Sequence, residues 1–298
     1  MTAKSTNPKP KSLWHDLPRR VFTICVGFPI VWKILSNSTL ALVFFICVHG
    51  LVTWEYSILE QNKTIRASEK LLSLPYILIF SITSLTLAHI VQDSLFQFAL
   101  CCIAGIFVWL DRRHWLLGLV VITIPFRTWY LISQDFSSTI SILLVVWNCD
   151  TGALLFGRLS KKTGLPKVQV PYWIQKISPA KSVEGFVGGI LGGVWTAVSW
   201  IPRLISWFDL ETSSTFDKIW ESTTNRVVLG LFMSMLAIFG DLVESAIKRQ
   251  SNSKDSGSFL PGHGGILDRF DSSLFAVLFY SFVMDFVQTR GFSSYEAL

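Results

Sequence analysis

Asp241, Glu244, Ser245 and Lys248 stand at i, i+3, i+4 and i+7, so in a helix they share one face. Carboxylates at the end of an otherwise apolar helix are costly unless they bind a cation or line a wet cavity. A Glu244–Lys248 ion pair would satisfy one of them, but Asp241 lies deeper. The polar stretch that follows carries Arg249, Lys254, Asp255, His263, Gly264, Gly265, Asp268, Arg269 and Asp271. Gly262, Gly264 and Gly265 let the backbone turn sharply and approach a ligand closely. Lys248, Arg249, Lys254 and Arg269 supply phosphate-binding charge. Asp268 and Asp271, three apart at the mouth of an apolar run, can share a face, although Asp271-Ser272-Ser273 also has the form of a helix N-cap. Carboxylates among so many cations suit Mg²⁺, with its oxygen ligands, bridging a polyphosphate. Neither G-x-x-x-x-G-K-[ST] nor G-x-G-x-x-G occurs, so ATPase and Rossmann readings lose their main support.

A second polar stretch, Ser178-Pro179-Ala180-Lys181-Ser182-Val183-Glu184-Gly185, predicts a helix capped by Ser178 with Pro179 at its first position. Lys181 and Glu184 would then project near its start, toward a nucleotide or a metal shell. Gly185, Gly189 and Gly193 form a small-xxx-small stripe with Gly188 and Gly192 beside it, which reads as close helix packing.

The elements that must position these residues are membrane helices. The chain has 298 residues, 51% of them hydrophobic and only 15% charged. Soluble domains carry charge on about a quarter of their residues, so this surface is too apolar for water. Apolar runs near spanning length fall at about 21–35, 39–54, 71–91, 95–110, 115–132, 140–156, 185–201, 227–243 and 274–287. The expectation is an all-α, polytopic helix bundle with about nine transmembrane helices. Residues 1–20 read as a basic, disordered arm and residues 21–298 as one integral-membrane domain.

An N-terminus on the inner side places 20 of the 26 Lys and Arg residues in inner segments, as the positive-inside bias demands. That accounts for the net charge of +6 without nucleic acid. It also turns 157–184 and 248–271, the two most polar connections, toward one compartment, cytoplasmic or stromal. The cysteines sit in apolar runs without C-x-x-C spacing, so no zinc site is indicated. Glu55 reads only as a charge near a helix end.

The stretch from Ser245 to Asp271 resembles the signature of the CDP-diacylglycerol synthase (phosphatidate cytidylyltransferase) family. The pattern is S-x-hydrophobic-K-R, four residues, K-D, a small residue two on, then H-G-G-x-x-D-R-x-D, and each fixed position is filled. Asn148-Cys149-Asp150 through Phe156-Gly157-Arg158 resembles the family's N-D…F-G-R segment with one extra residue between Asn and Asp. Ser178 to Gly185 resembles its S-P-x-K-[ST]-x-E-G segment. The resemblance covers about 140–287.

It implies transfer of CMP from CTP to phosphatidic acid, giving CDP-diacylglycerol and pyrophosphate. Asp241 and Asp268 would hold Mg²⁺, with K⁺ as an optional second cation. Lys248, Arg249, Lys254, Asp255, His263, Arg269 and Asp271 would complete the catalytic group. Ser178, Lys181, Glu184, Ser245, Gly264 and Gly265 would contact substrate. A homodimer is implied as well. A related CTP-dependent transferase acting on an isoprenoid-type lipid is the nearest alternative. A transporter would show paired repeats with broken helices, which the sequence lacks.

Overall fold

The computed structural model describes residues 29–64, 94–110, 115–163, 168, 170–257 and 264–293. Among these every regular element is helical. The long helices are α1 (Ser38–Thr64), α2 (Ser94–Leu110), α3 (Trp115–Ile132) and α4 (Phe136–Thr163). A short α5 (Tyr172–Ile177) leads to α6 (Val183–Trp195) and α7 (Ile201–Phe208), then α8 (Ser214–Trp220) and α9 (Thr223–Gln250). The single turn α10 (Leu267–Phe270) precedes α11 (Ser273–Ser293).

Seven of the expected apolar runs coincide with these helices. The run at 71–91, most of the run at 21–35 and the amino-terminal arm lie outside the described residues. Four helical segments are long and apolar enough to cross a membrane: Thr39–Leu59, Phe136–Ser160, Val183–Phe208 and Thr223–Gln250. Shorter apolar helices run beside them at Ser94–Ile106, Val120–Ile132 and Ser273–Thr289. The protein is therefore a polytopic helical membrane protein.

Two prolines in the membrane helices behave differently. Pro125 is absorbed inside α3. Pro202, at the start of α7, follows a π-helical turn at Thr196–Trp200 that joins α6 to α7. A proline removes one backbone donor and crowds the carbonyl four residues back; a widened turn just before it accommodates both.

The expected cap at Ser178 is displaced. Ser178 instead ends α5. Ser182 caps α6, its hydroxyl accepting from the Gly185 N–H at 3.1 Å. The reason is local: 179–180 form a turn, and the Lys181 N–H donates to the Ser178 carbonyl at 3.2 Å. Helical φ/ψ therefore begins four residues later than the sequence suggests.

Glycines set the spacing of the bundle, since apolar side chains gain little by leaving lipid and close van der Waals approach must hold the helices together. A Cβ at Gly152 of α4 would sit 2.3 Å from the Gly188 carbonyl oxygen of α6, and one at Gly192 would sit 2.6 Å from that of Asn148. The third helix joins the same way, because a Cβ at Gly230 of α9 would lie 2.8 Å from the Val194 Cα. At the other end of the bundle, Tyr280 of α11 accepts from Trp220 Nε1 at 3.0 Å and meets Ser138 Oγ at 2.9 Å. Asp135 caps α4 by accepting from the Ser137 and Ser138 N–H groups at 3.1 and 3.3 Å.

Gly152→Val should therefore force α4 off α6 and cost about 3 kcal/mol or more, the upper range for overpacking. Gly50→Ala, where a Cβ meets nothing within 4 Å, should be neutral or slightly stabilising. Thermal unfolding of the two variants in detergent provides the comparison.

Candidate active site

The two polar connections meet at one end of the bundle. There the carboxyl-terminal part of α4, the start of α6, the end of α9 and the α10–α11 junction enclose a cavity of about 400 Å³. Its lining includes Asp150, Arg158, Lys181, Asp241, Asp268 and Asp271. Gly240 permits the enclosure: a Cβ there would stand 2.3 Å from the Asp271 carbonyl oxygen.

Asp241, Glu244 and Asp271 form an acidic cluster in which one ligand atom from each lies within 4.8 Å of the others. Lys181 donates to Asp241 Oδ2 across the gap between the two polar segments. Ser245 Oγ donates to Asp241 Oδ1 at 3.4 Å. The shared helical face expected for Asp241, Glu244, Ser245 and Lys248 is thus in place. Asp150, from the N-C-D segment of α4, accepts from Ser272 Oγ at 3.1 Å, which brings a fourth carboxylate to the cluster's edge.

Glu244 is 1% exposed. Its Oε2 faces Lys248 Nζ as an ion pair, while Oε1 has no hydrogen-bond partner. Buried carboxylate oxygens without donors are costly. Three carboxylates converging around such atoms are the donor set a hard divalent cation takes, so the residues present fit a metal ion.

Asp268 lines the same cavity but its oxygens are otherwise engaged. It accepts from Lys248 Nζ at 2.8 Å, from the Gly265 N–H at 2.7 Å and from the Ser256 N–H at 3.1 Å. Asp241 is therefore joined in the acidic cluster by Glu244 and Asp271, while Asp268 holds Lys248 from the far side. Burial alone would raise the Asp268 carboxyl, but the Lys248 ammonium and the Gly265 N–H bring it below the usual range. Burial would likewise lower Lys181, and the Asp241 carboxylate outweighs it, so this lysine stays charged. Asp271 is pushed up to about 8, first by burial and then by the neighbouring Asp241 and Asp150 carboxylates. The Ser272 N–H, donating at 2.7 Å, offsets part of that rise.

Other expected site residues lie at the periphery. Arg249 donates through Nε to the Ile177 carbonyl at 3.0 Å and through a guanidinium N–H to the Ser253 carbonyl at 2.8 Å. It ties the end of α9 to α5. Glu184 accepts from the Val168 N–H at 3.0 Å and fixes the incoming connection. Lys254, Asp255 and Arg269 are exposed, and Ser178 sits in the turn before α6. Gly264 adopts φ +79°, a left-handed conformation that favours glycine, and directs the Gly265 N–H to Asp268. His263 lies outside the described residues.

Sequence reasoning passed over Glu55. This α1 residue is 3% exposed, and its carboxylate accepts from Ser256 Oγ at 3.1 Å and from the Ile266 and Leu267 N–H groups, both at 2.9 Å. A carboxylate within a helix long enough to span a bilayer was the available signal.

An apolar helical bundle with a carboxylate-and-lysine cavity at one end defines an integral-membrane protein with an acidic cluster that could hold a cation. The profile of the cytidylyltransferase family matches residues 18–287, and the chain belongs to that family. It is similar to the phosphatidate cytidylyltransferase of Staphylococcus epidermidis, 39% identical over 173 residues. It also resembles the proteins of that name from Staphylococcus haemolyticus, at 37% over 172 residues, and Staphylococcus aureus, at 36% over 175. Each match covers 57% of this chain and 58% of the relative.

The raised Asp271 sets a sign for pH dependence. A carboxyl whose folded pKa lies above its unfolded value stabilises the metal-free fold only at low pH; that contribution is lost as pH rises from about 4 toward 8. Cation binding must displace the same proton. Affinity for Mn²⁺, read by electron paramagnetic resonance, should thus rise about tenfold per pH unit below pH 8, and Asp271→Asn should flatten that slope.

Proposed function

We propose that the protein transfers the CMP moiety of CTP to phosphatidic acid, releasing pyrophosphate and forming CDP-diacylglycerol. The observation that carries this reading is the Asp241–Glu244–Asp271 cluster, faced by Lys181 and Lys248, beside the family's signature segments and at the end of an apolar bundle. Similarity to proteins named phosphatidate cytidylyltransferase supports the choice of substrates.

In this reading a lipid phosphate oxygen attacks the α-phosphorus of CTP, and the bond to the bridging oxygen of pyrophosphate breaks. The attacking phosphate is already ionised near neutral pH, so no strong general base is required. The difficulty is mutual repulsion of anions, and catalysis rests on positioning and charge stabilisation. Asp241, Glu244 and Asp271 would hold Mg²⁺, with K⁺ near Asp150 as a second cation. When bound, the metal supplies positive charge against the triphosphate.

Lys181 lines the cavity and Lys248 stands behind Asp268; each is oriented by a carboxylate and would clamp phosphate oxygens. Arg158 lies at the cavity wall on an exposed face, placed for the lipid phosphate. Gly264, Gly265 and His263 would shape the nucleotide pocket. We further propose that this end of the bundle faces the cytoplasm or stroma, where CTP is available, and that the protein acts as a homodimer.

Purified protein given CTP, Mg²⁺ and phosphatidic acid should form CDP-diacylglycerol and pyrophosphate, followed by mass spectrometry. Asp241→Asn should lower kcat/KM by about 10³-fold, in the range seen when a group stabilising transition-state charge is lost. Product from isoprenoid-type acceptors alone would replace phosphatidic acid in this reading.

A further inference from the structure

We propose that Glu55, on α1 in the amino-terminal half of the chain, is a positioning residue that ties Ser256 to the start of α10 and so holds the Asp268–Lys248 pair at the cavity. The inference rests on the reaction proposed above and adds a residue outside every signature segment.

Its geometry is that of an anchor. Both carboxylate oxygens are used, Oε1 by the Ile266 N–H and Oε2 by the Leu267 N–H and Ser256 Oγ. The two N–H groups belong to the start of α10, where backbone donors without an intrahelical partner need an acceptor. The connection has been shaped to admit the carboxylate. Cβ atoms at Gly257 and Gly265 would each come within 2.6 Å of a Glu55 oxygen, so neither position tolerates a side chain while Glu55 is in place.

The same connection leads straight to the site. Ser256 donates its hydroxyl to Glu55 and its N–H to Asp268, and Asp268 accepts from Lys248. Glu55, Ser256, Asp268, Lys248 and Glu244 therefore form one continuous polar chain from α1 into the acidic cluster. Loss of the anchor frees the segment that sets the direction of Lys248. Lys248 is proposed above to clamp phosphate oxygens of the nucleotide, so the consequence falls on nucleotide and metal rather than on lipid.

The test uses full-length protein in detergent and has two readouts. Hydrogen exchange of the peptide containing Ile266 and Leu267 should be about 10- to 100-fold faster in Glu55→Gln than in wild type, the range expected when hydrogen bonds to a charged acceptor are lost. Peptides from α4 and α9 should be unchanged. In the CTP-dependent assay, KM for Mg·CTP should rise about tenfold while KM for phosphatidic acid stays the same. Unchanged exchange overturns the anchor whatever the enzyme does. Faster exchange with both KM values unchanged, or with both raised equally, overturns the positioning role. An inactive wild type defeats only the reaction proposed above, and exchange together with Mg·CTP binding by calorimetry then decides this inference. If Glu55→Gln does not fold, Ser256→Ala, which removes one of the three bonds, takes its place with the same readouts and a shift of about threefold.

Discussion

Four carboxylates, Asp150, Asp241, Glu244 and Asp271, are confined at one end of an apolar bundle, and the site is organised around containing that charge. Ionised carboxylates brought together away from water repel one another and are poorly solvated. The structure answers with Lys181 from one polar connection and Lys248 from the end of α9. It leaves Glu244 Oε1 without a protein donor. These residues come from α4, the approach to α6, the end of α9 and the α10–α11 junction, so the balance exists only when those elements are packed. The glycine contacts between α4, α6 and α9 are thus part of the electrostatics, because they set how closely the charges stand.

Much of this was legible in the sequence. The apolar runs gave the helices, and the i, i+3, i+4, i+7 spacing gave one face to Asp241, Glu244, Ser245 and Lys248. The glycine stripe after Ser182 gave close packing, since a residue without a side chain at every helical turn has few other uses in a membrane. The meeting of the two polar connections followed from alternating the basic residues across the membrane.

What could not be read depended on contacts between distant segments. Asp268 resembles a metal ligand by type and position, but its oxygens are directed to Lys248, Ser256 and Gly265 by a loop whose path no local pattern specifies. The Ser178 cap failed because a turn at 179–180 delays the helix, and Ser182 has the same capping chemistry. Arg249 also reaches a backbone carbonyl on α5, a contact no local pattern announces. Glu55 was hidden for a simpler reason: its partners lie some two hundred residues away in the chain and are mostly backbone N–H groups, which carry no sequence label.

Leu154 both lines the cavity and stands 48% exposed on the α4 flank, beside Leu155 and Leu159 at 57% each. One wall of the site is therefore continuous with a surface that hydrocarbon would wet. A lipid arriving there diffuses in two dimensions, and its effective concentration is its mole fraction in the bilayer, not its amount per volume of solution. A nucleotide arrives in three dimensions from water. In the proposed reaction, dilution with inert lipid would slow one substrate's arrival and leave the other's untouched, so the composition of the membrane itself would become a kinetic variable.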